Sequence, residues 1–194
     1  VHHYVDLYAQ TMIDGYDQKG ARFRYLFSRL RETACAIVEN IADEMAVSDF
    51  RPIAFELGFG GKDGQLPAIT VTEGSTALSV RGKVDRVDGW IKDGKLYLRV
   101  VDYKTGQKAF DLSDVRYGLG IQMLLYLFAL QKEGSGYFGM PVVPAGVLYT
   151  PAREIISRED RSIPPEKLEA VLRRKLRRTG MLLSEPEVLR AMEH

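Results

Sequence analysis

The stretch "GWIKDGKLYLRVVDYK", Gly89 to Lys104, restricts the fold more tightly than any other part of the chain. Asp93-Gly94 stands between two β-rich runs, and Asp-Gly favours the left-handed backbone that a two-residue type I′ hairpin turn needs at both central positions. With Lys92 facing Lys95 across that turn, each residue of one strand acquires a single partner on the other. One face then carries Ile91 with Leu96, Gly89 with Leu98, Val87 with Val100, Asp85 with Asp102 and Lys83 with Lys104. The other carries Trp90 with Tyr97, Asp88 with Arg99, Arg86 with Val101 and Val84 with Tyr103.

Asp88 gains a cross-strand cation, so a structural role accounts for it. Asp85 gains a second carboxylate. Like charges directly opposite in a ladder destabilise it at a Cβ separation of about 4.5–5.5 Å, so the pair must take up a proton or recruit a cation. If Lys83 and Lys104 neutralise it, the group is a structural quartet. The functional reading is preferred, because the same face is apolar toward the turn and the carboxylates continue a packing surface. Two carboxylates on adjacent strands, with room for phosphate oxygens and water, are the usual protein share of a Mg²⁺ site. Lys104, two residues beyond Asp102, emerges on the same side of its strand. Its ammonium can hold an attacking water and stabilise charge at phosphorus, and the backbone carbonyl of Tyr103 is a further candidate metal ligand.

Composition bounds the rest. With 194 residues, 45% of them apolar, the chain can bury one proper core. Its 27 basic and 26 acidic side chains leave a formal charge of +1, so an anionic partner must be met locally. The single Cys35 excludes an internal disulfide and reads as a small core residue. The longest apolar stretch, "IQMLLYLFAL", is too short for a bilayer and contains Gln122, and no leader pattern opens the chain, so the expectation is a soluble, cytosolic protein. A start without Met, inside a helical pattern, suggests a piece of something larger, and the closing "EH" the stump of a tag.

Helical spacing of Phe23, Leu26, Phe27, Leu30, Ala34, Ile37, Val38, Ile41 and Met45 predicts an amphipathic helix from about Ala21 to Val47, packed on a core. "RPIAFELGFG" predicts a strand with Ile53, Phe55, Leu57 and Phe59 on one face and Ala54, Glu56 and Gly58 on the other. After a turn-rich loop, "GGKDGQLP", come the two strands of the hairpin. "SDVRYGLGIQMLLYLFALQKEG" predicts one buried helix capped by Ser113 or Asp111 and closed at Gly134, with Gly118 and Gly120 inside it for close backbone approach. "VVPAGVLYT" predicts a last strand. A third helix follows from Ile163 to Arg178, ringed by Arg173, Arg174, Lys175, Arg177 and Arg178, either a solvated face or a phosphate-contacting patch.

A strand ending in Asp ("GKVDRVD"), a hairpin, Asp-x-Lys ("VVDYKTG") and a helix carrying Gln-x-x-x-Tyr ("YGLGIQMLLYL") together resemble the PD-(D/E)XK nuclease superfamily, in its RecB-like branch. With "FRPIAFELGFG" and "AGVLYTP", the stretch from Ala21 onward looks like the C-terminal nuclease domains of the B-type chains of helicase/deoxyribonucleases, the AddB type. The resemblance implies an α/β, restriction-endonuclease-like core: a mixed central sheet with an antiparallel hairpin, flanked by helices. It implies one nuclease domain over 1–194, with an N-terminal extension 1–20, a catalytic core 50–151 and a C-terminal helical region 163–194.

By the same resemblance, Asp85 and Asp102 are metal ligands, Lys104 is the catalytic lysine, and Gln122 and Tyr126 steer the DNA strand and order the site. Glu56 is a candidate outer-shell carboxylate. The implied cofactor is Mg²⁺, with Mn²⁺ able to substitute. The implied activity is exonucleolytic hydrolysis of single-stranded DNA, the 5′-ended strand, in double-strand break repair, with an A-type helicase/nuclease chain as partner. Two features depart from the family. Its 4Fe-4S cluster needs four cysteines that this chain lacks, and its upstream metal-binding His follows a Gly-x-x-x-His pattern that "VHHYVDLYAQ" does not show, so His2 and His3 read as exposed helix residues. The alternative is therefore a catalytically incomplete, nuclease-like DNA-binding or subunit-docking module. An Fe-S nuclease of CRISPR adaptation shares the motifs but should be a smaller whole protein.

Overall fold

The computed structural model describes residues 1–13, 15, 19–62, 64–106, 111–152 and 163–194. In chain order the elements are α1 (His2–Ile13), α2 (Ala21–Ala46), β1 (Arg51–Phe59), β2 (Ile69–Glu73), β3 (Thr76–Val80), β4 (Gly82–Lys92), β5 (Lys95–Lys104), α3 (Leu112–Arg116), α4 (Gln122–Phe138), β6 (Val142–Pro151), α5 (Pro165–Lys175), β7 (Thr179–Leu182) and α6 (Pro186–Met192). They gather into two compact units, residues 1–46 with 151–177 and residues 47–150 with 178–194.

The first unit holds α1, α2 and α5. The expected amphipathic helix is α2, but its apolar stripe is only partly covered: Phe27 is buried, whereas Leu26, Leu30 and Val38 stay exposed. One short neighbouring helix cannot cover a stripe that runs the length of α2, and an open apolar groove lined by Tyr4, Tyr8, Leu30 and Val38 results. Cys35 is half-buried, with Sγ 3.5 Å from Nε2 of His2. His2 and His3 lie exposed on α1. Arg173 and Arg174, on the last turn of α5, face solvent.

The second unit is built on a five-stranded sheet of order β1-β4-β5-β6-β7, with β2 and β3 forming a separate antiparallel hairpin. The β1–β4, β4–β5 and β6–β7 pairings are antiparallel. Strands β5 and β6 are neighbours joined through α4, the crossover that a parallel pair requires, and the sheet is mixed. One face buries Leu57, Val87, Leu98, Val100 and Val147 against Leu124, Leu127 and Leu130 of α4. Each such side chain, fully buried, contributes about 1.5–3 kcal/mol. The other face packs Trp90 and Tyr97 with Phe50 and with Val188, Ala191 and Met192 of α6.

Several expectations change. The long second helix is two helices, α3 and α4, because Gly118 and Gly120 take left-handed backbone angles (φ +77° and +67°) that end a helix instead of continuing one. A Cβ at Gly118 would meet nothing within 4 Å, so its backbone angle, and no close neighbour, explains that glycine. Asp111 supplies the cap, accepting from the Ser113 N–H at 2.8 Å. Helix α4 runs past Gly134 to a left-handed C-cap at Gly139, and it is not buried all round, since Phe128 is exposed. The C-terminal region expected to be helical also contributes β7, paired antiparallel with β6. In β1, Ile53 and Phe55 are exposed while Leu57, Gly58 and Phe59 are all buried, so the expected single apolar face is not kept along the strand. A register shift between Pro52 and Ala54 and a positive φ of 51° at Glu56 re-aim the side chains of this edge strand.

Candidate active site

The hairpin register is as expected from the Asp93-Gly94 turn. Both turn residues have positive φ, 50° and 70°, and the ladder runs from Lys92↔Lys95 through Asp88↔Arg99 to Arg86↔Val101. There it ends. The next donor on β5, the Tyr103 N–H, bonds at 2.9 Å to Oδ2 of Asp85. The expected facing pairs Asp85 with Asp102, Val84 with Tyr103 and Lys83 with Lys104 thus lie beyond the ladder. A side chain has taken the place of a strand carbonyl, and the Asp85 carboxylate is brought to the backbone immediately after Asp102.

Lys104 lies on the same side as Asp102, with Nζ 2.5 Å from Oδ2. That contact lacks hydrogen-bond geometry: Asp102 Oδ2 is buried without a hydrogen-bond partner among the described residues. Lys83 does not neutralise the carboxylates. Its Nζ lies 3.1 Å from Oε2 of Glu56, and both side chains are more than half exposed. The proposed quartet therefore does not form, and Glu56 is engaged at the rim by Lys83.

Gln122 and Tyr126 meet one helical turn apart, Gln122 Nε2 donating to the Tyr126 hydroxyl at 2.8 Å. Tyr126 is buried and stacks on Phe59 with ring centroids 5.3 Å apart. Its hydroxyl abuts β4 so closely that a Cβ on Gly82 would overlap it, and glycine is required there. Tyr126 thus fixes α4 against β4 three residues before Asp85, while Gln122 remains exposed. Among the described residues no hydrogen bond joins either of them to Asp85, Asp102 or Lys104.

Tyr149 of β6 completes the neighbourhood, and nothing in the sequence pattern assigns it a role. Lys104 Nζ sits 5.5 Å from its ring centroid. Burial, and then the Asp102 carboxylate, push its phenol above the ordinary tyrosine value, with Lys104 opposing. A tyrosine inside an apolar run gives no local signal of this; only the β5–β6 pairing puts it there.

The opposite face carries a different carboxylate. Asp88 is wholly buried and receives Arg86 Nη2 at 2.9 Å, Arg99 Nε at 2.8 Å and an ion contact from Arg86 Nε at 2.8 Å. Arg86 Nη1 also donates to the Tyr103 hydroxyl at 2.9 Å. Asp88–Arg99 was expected from the register; Arg86 as a second partner was not.

A family comparison decides the reading. Residues 3–192 match the model of the PD-(D/E)XK nuclease superfamily. The chain belongs to this superfamily. It is also 38% identical over 89% of its length to the B-type subunit of the ATP-dependent helicase/deoxyribonuclease of Acetivibrio thermocellus, and 36% identical over 97% to that of Caldanaerobacter subterraneus subsp. tengcongensis. The corresponding protein of Pelotomaculum thermopropionicum is 35% identical over 97% of the chain. The chain spans 15–17% of the length of these relatives.

The donor set suits the divalent cation that such nucleases generally use. Asp85, Asp102 and the Tyr103 carbonyl are hard oxygen donors, and the buried Asp102 oxygen without a hydrogen-bond partner is where a cation would relieve desolvation. Among the described residues no group of three or more His, Cys, Asp or Glu comes together. With one cysteine in the chain, a four-cysteine cluster cannot be assembled from it. No helix of the described residues is long and apolar enough to cross a membrane.

Proposed function

We propose that this chain is the nuclease part of a helicase–nuclease assembly of the kind named in its relatives, and that it hydrolyses phosphodiester bonds of single-stranded DNA. The 5′-ended strand is the substrate, an A-type helicase/nuclease chain the partner, and Mg²⁺ the cofactor, with Mn²⁺ able to replace it. The observation that carries this reading is the convergence at Tyr103: Asp85 on its N–H, Asp102 before it, and Lys104 after it.

Asp85, Asp102 and the Tyr103 carbonyl would hold the cation, which when bound supplies charge neutralisation at the phosphate and a more acidic water. Lys104 orients the attacking water and stabilises the negative charge that builds on the phosphoryl oxygens as the new P–O bond forms and the bond to the leaving oxygen breaks. The Tyr149 ring limits where the Lys104 ammonium can go. Gln122, its amide nitrogen bonded to Tyr126, keeps its carbonyl oxygen as an acceptor on an exposed side chain for an incoming strand. The second reading, a catalytically incomplete DNA-binding or docking module, keeps Lys104 on Asp102 as a structural ion pair.

The test is Mg²⁺- or Mn²⁺-dependent cleavage of end-labelled single-stranded DNA, by wild type and by Lys104→Ala, in an assembly whose other nuclease site is disabled. A hundredfold to ten-thousandfold loss, about the contribution of one group that moves a proton or stabilises charge, is expected. Equal cleavage by the two removes Lys104 from the chemistry. Metal-independent DNA binding with no cleavage by either establishes the docking module.

A further inference from the structure

We infer that the connector between α3 and α4 is a rigid stacking platform for one unstacked nucleobase, with Tyr117 and Leu119 as its surface. This deepens the proposed nuclease reading by giving that site a means of selecting single strands.

The connector is a locked helix terminus. The Gly118 N–H bonds to Val115 O at 3.0 Å and the Leu119 N–H to Asp114 O at 2.9 Å, with Gly118 left-handed, which together make a Schellman motif. Such motifs commonly bury the second residue past the cap against an apolar side chain three or four places back from the helix end. Here those places are Asp114 and Ser113, so Leu119 has no such partner and remains 59% exposed. Tyr117, the cap residue itself, is 79% exposed. Two large side chains thus stand mostly in solvent on a hydrogen-bonded frame.

The connector is tied to the candidate active site through Gly120. The hydroxyl of Tyr149, whose ring lies beside Lys104, approaches Gly120 O at 3.4 Å, and Gln122 follows two residues later. Arg116, exposed and adjacent in sequence, adds a cation suited to a phosphate. Among the described residues of the connector, Tyr117 and Leu119 offer far less than a stable protein interface, which buries about 800 Å² per partner. They match one base face, and aromatic stacking is the sequence-tolerant way to hold single-stranded nucleic acid. Inside a duplex every base face is already stacked on its neighbours.

The experiment walks 2-aminopurine through a single-stranded oligonucleotide, without divalent metal, and reads fluorescence quenching and anisotropy for the full chain, Tyr117→Ala, Tyr117→Phe and Tyr117→Ala/Leu119→Ala. Quenching at one position is expected in wild type. It should be lost in Tyr117→Ala with affinity about tenfold to a hundredfold weaker, and restored by Phe. The same substitution should leave the affinity for a covalently closed circular duplex within about twofold. Equal weakening for duplex and single strand, or unchanged single-strand affinity in Tyr117→Ala, overturns the platform, and so does a defect confined to assembly with a protein partner. Because the readout needs no cleavage, failure here with Lys104-dependent cleavage intact removes the platform and leaves the nuclease. Quenching without any cleavage does the reverse.

Discussion

The two faces of the β4–β5 hairpin carry carboxylates only three residues apart, and they treat them in opposite ways. Asp88 is wholly buried between two guanidiniums, with two hydrogen bonds on Oδ2 and an ion contact on Oδ1. Asp85 and Asp102 are half-buried; one oxygen of Asp85 takes a backbone N–H, and a buried oxygen of Asp102 has a partly exposed ammonium nearby but no hydrogen bond. A carboxylate enclosed by buried cations of its own chain has nothing left to give a ligand. One held by a single backbone donor is fixed in place yet keeps coordination capacity. Enclosure by internal cations, more than burial itself, separates the structural Asp from the candidate functional pair.

The sharpest way to break this contrast is to compare equivalent substitutions on the two faces. Asp102→Asn should lower metal-dependent cleavage a hundredfold or more, by about the value of a charge-stabilising group, while urea unfolding shifts by less than about 1 kcal/mol. Asp88→Asn should do the opposite, costing about 3–5 kcal/mol of stability by stranding two buried guanidiniums, and a stabilised background is needed to measure it. Calorimetric Mn²⁺ titration should show binding weakened by Asp85→Asn and unchanged by Asp88→Asn. Equal losses from the two would mean that both carboxylates belong to one site.

A smaller effect is expected where the scaffold meets the site. Gly82→Ala drives a methyl group into the Tyr126 hydroxyl, and overpacking of this kind costs about 1–3 kcal/mol. Cleavage should fall along with stability, since Tyr126 must shift and its bond from Gln122 is lost. Pairing Gly82→Ala with Tyr126→Phe should recover part of the stability but not the Gln122 bond, and no recovery in thermal melts would place the clash elsewhere.

The smallest effect lies at the turn end of the hairpin, where Lys92 pairs with Glu187. Its hydrogen bond to Lys92 holds the Glu187 carboxyl below its ordinary value, and the hydrogen bond to Glu187 raises the Lys92 ammonium. A depressed carboxyl contributes stability above its unfolded pKa that is lost as pH falls through the folded one. A raised ammonium contributes stability below its unfolded pKa that is lost as pH rises through the folded one. The pair therefore helps between the carboxylate and lysine ranges, and Glu187→Gln should flatten both limbs slightly in pH-dependent melts. This exposed pair is screened by water, so the difference should vanish at about 1 M salt.

Much of this was legible in the chain itself where the information is local. A two-residue Asp-Gly turn leaves the hairpin one register, and that register placed Arg99 on Asp88 and kept Asp102 and Lys104 on one side of their strand. Helical periodicity likewise placed Tyr126 one turn from Gln122. Gly118 and Gly120 stand out in the sequence, but two glycines close together fit a close approach as well as a helix stop until their backbone angles are known.

Other features could not be read because they depend on which strands become neighbours. The β5–β6 adjacency brings Tyr149 to Lys104. The β1–β4 edge gives Lys83 to Glu56, while Lys104 keeps its place beside Asp102. The chain's sequence determined the hairpin and the identity of the acidic and basic groups on it, since turn geometry and the two-residue period of a strand act over a few residues. The tertiary structure decided which carboxylate is enclosed and which keeps coordination capacity, since that depends on side chains and backbone donors arriving from strands and helices far away in sequence.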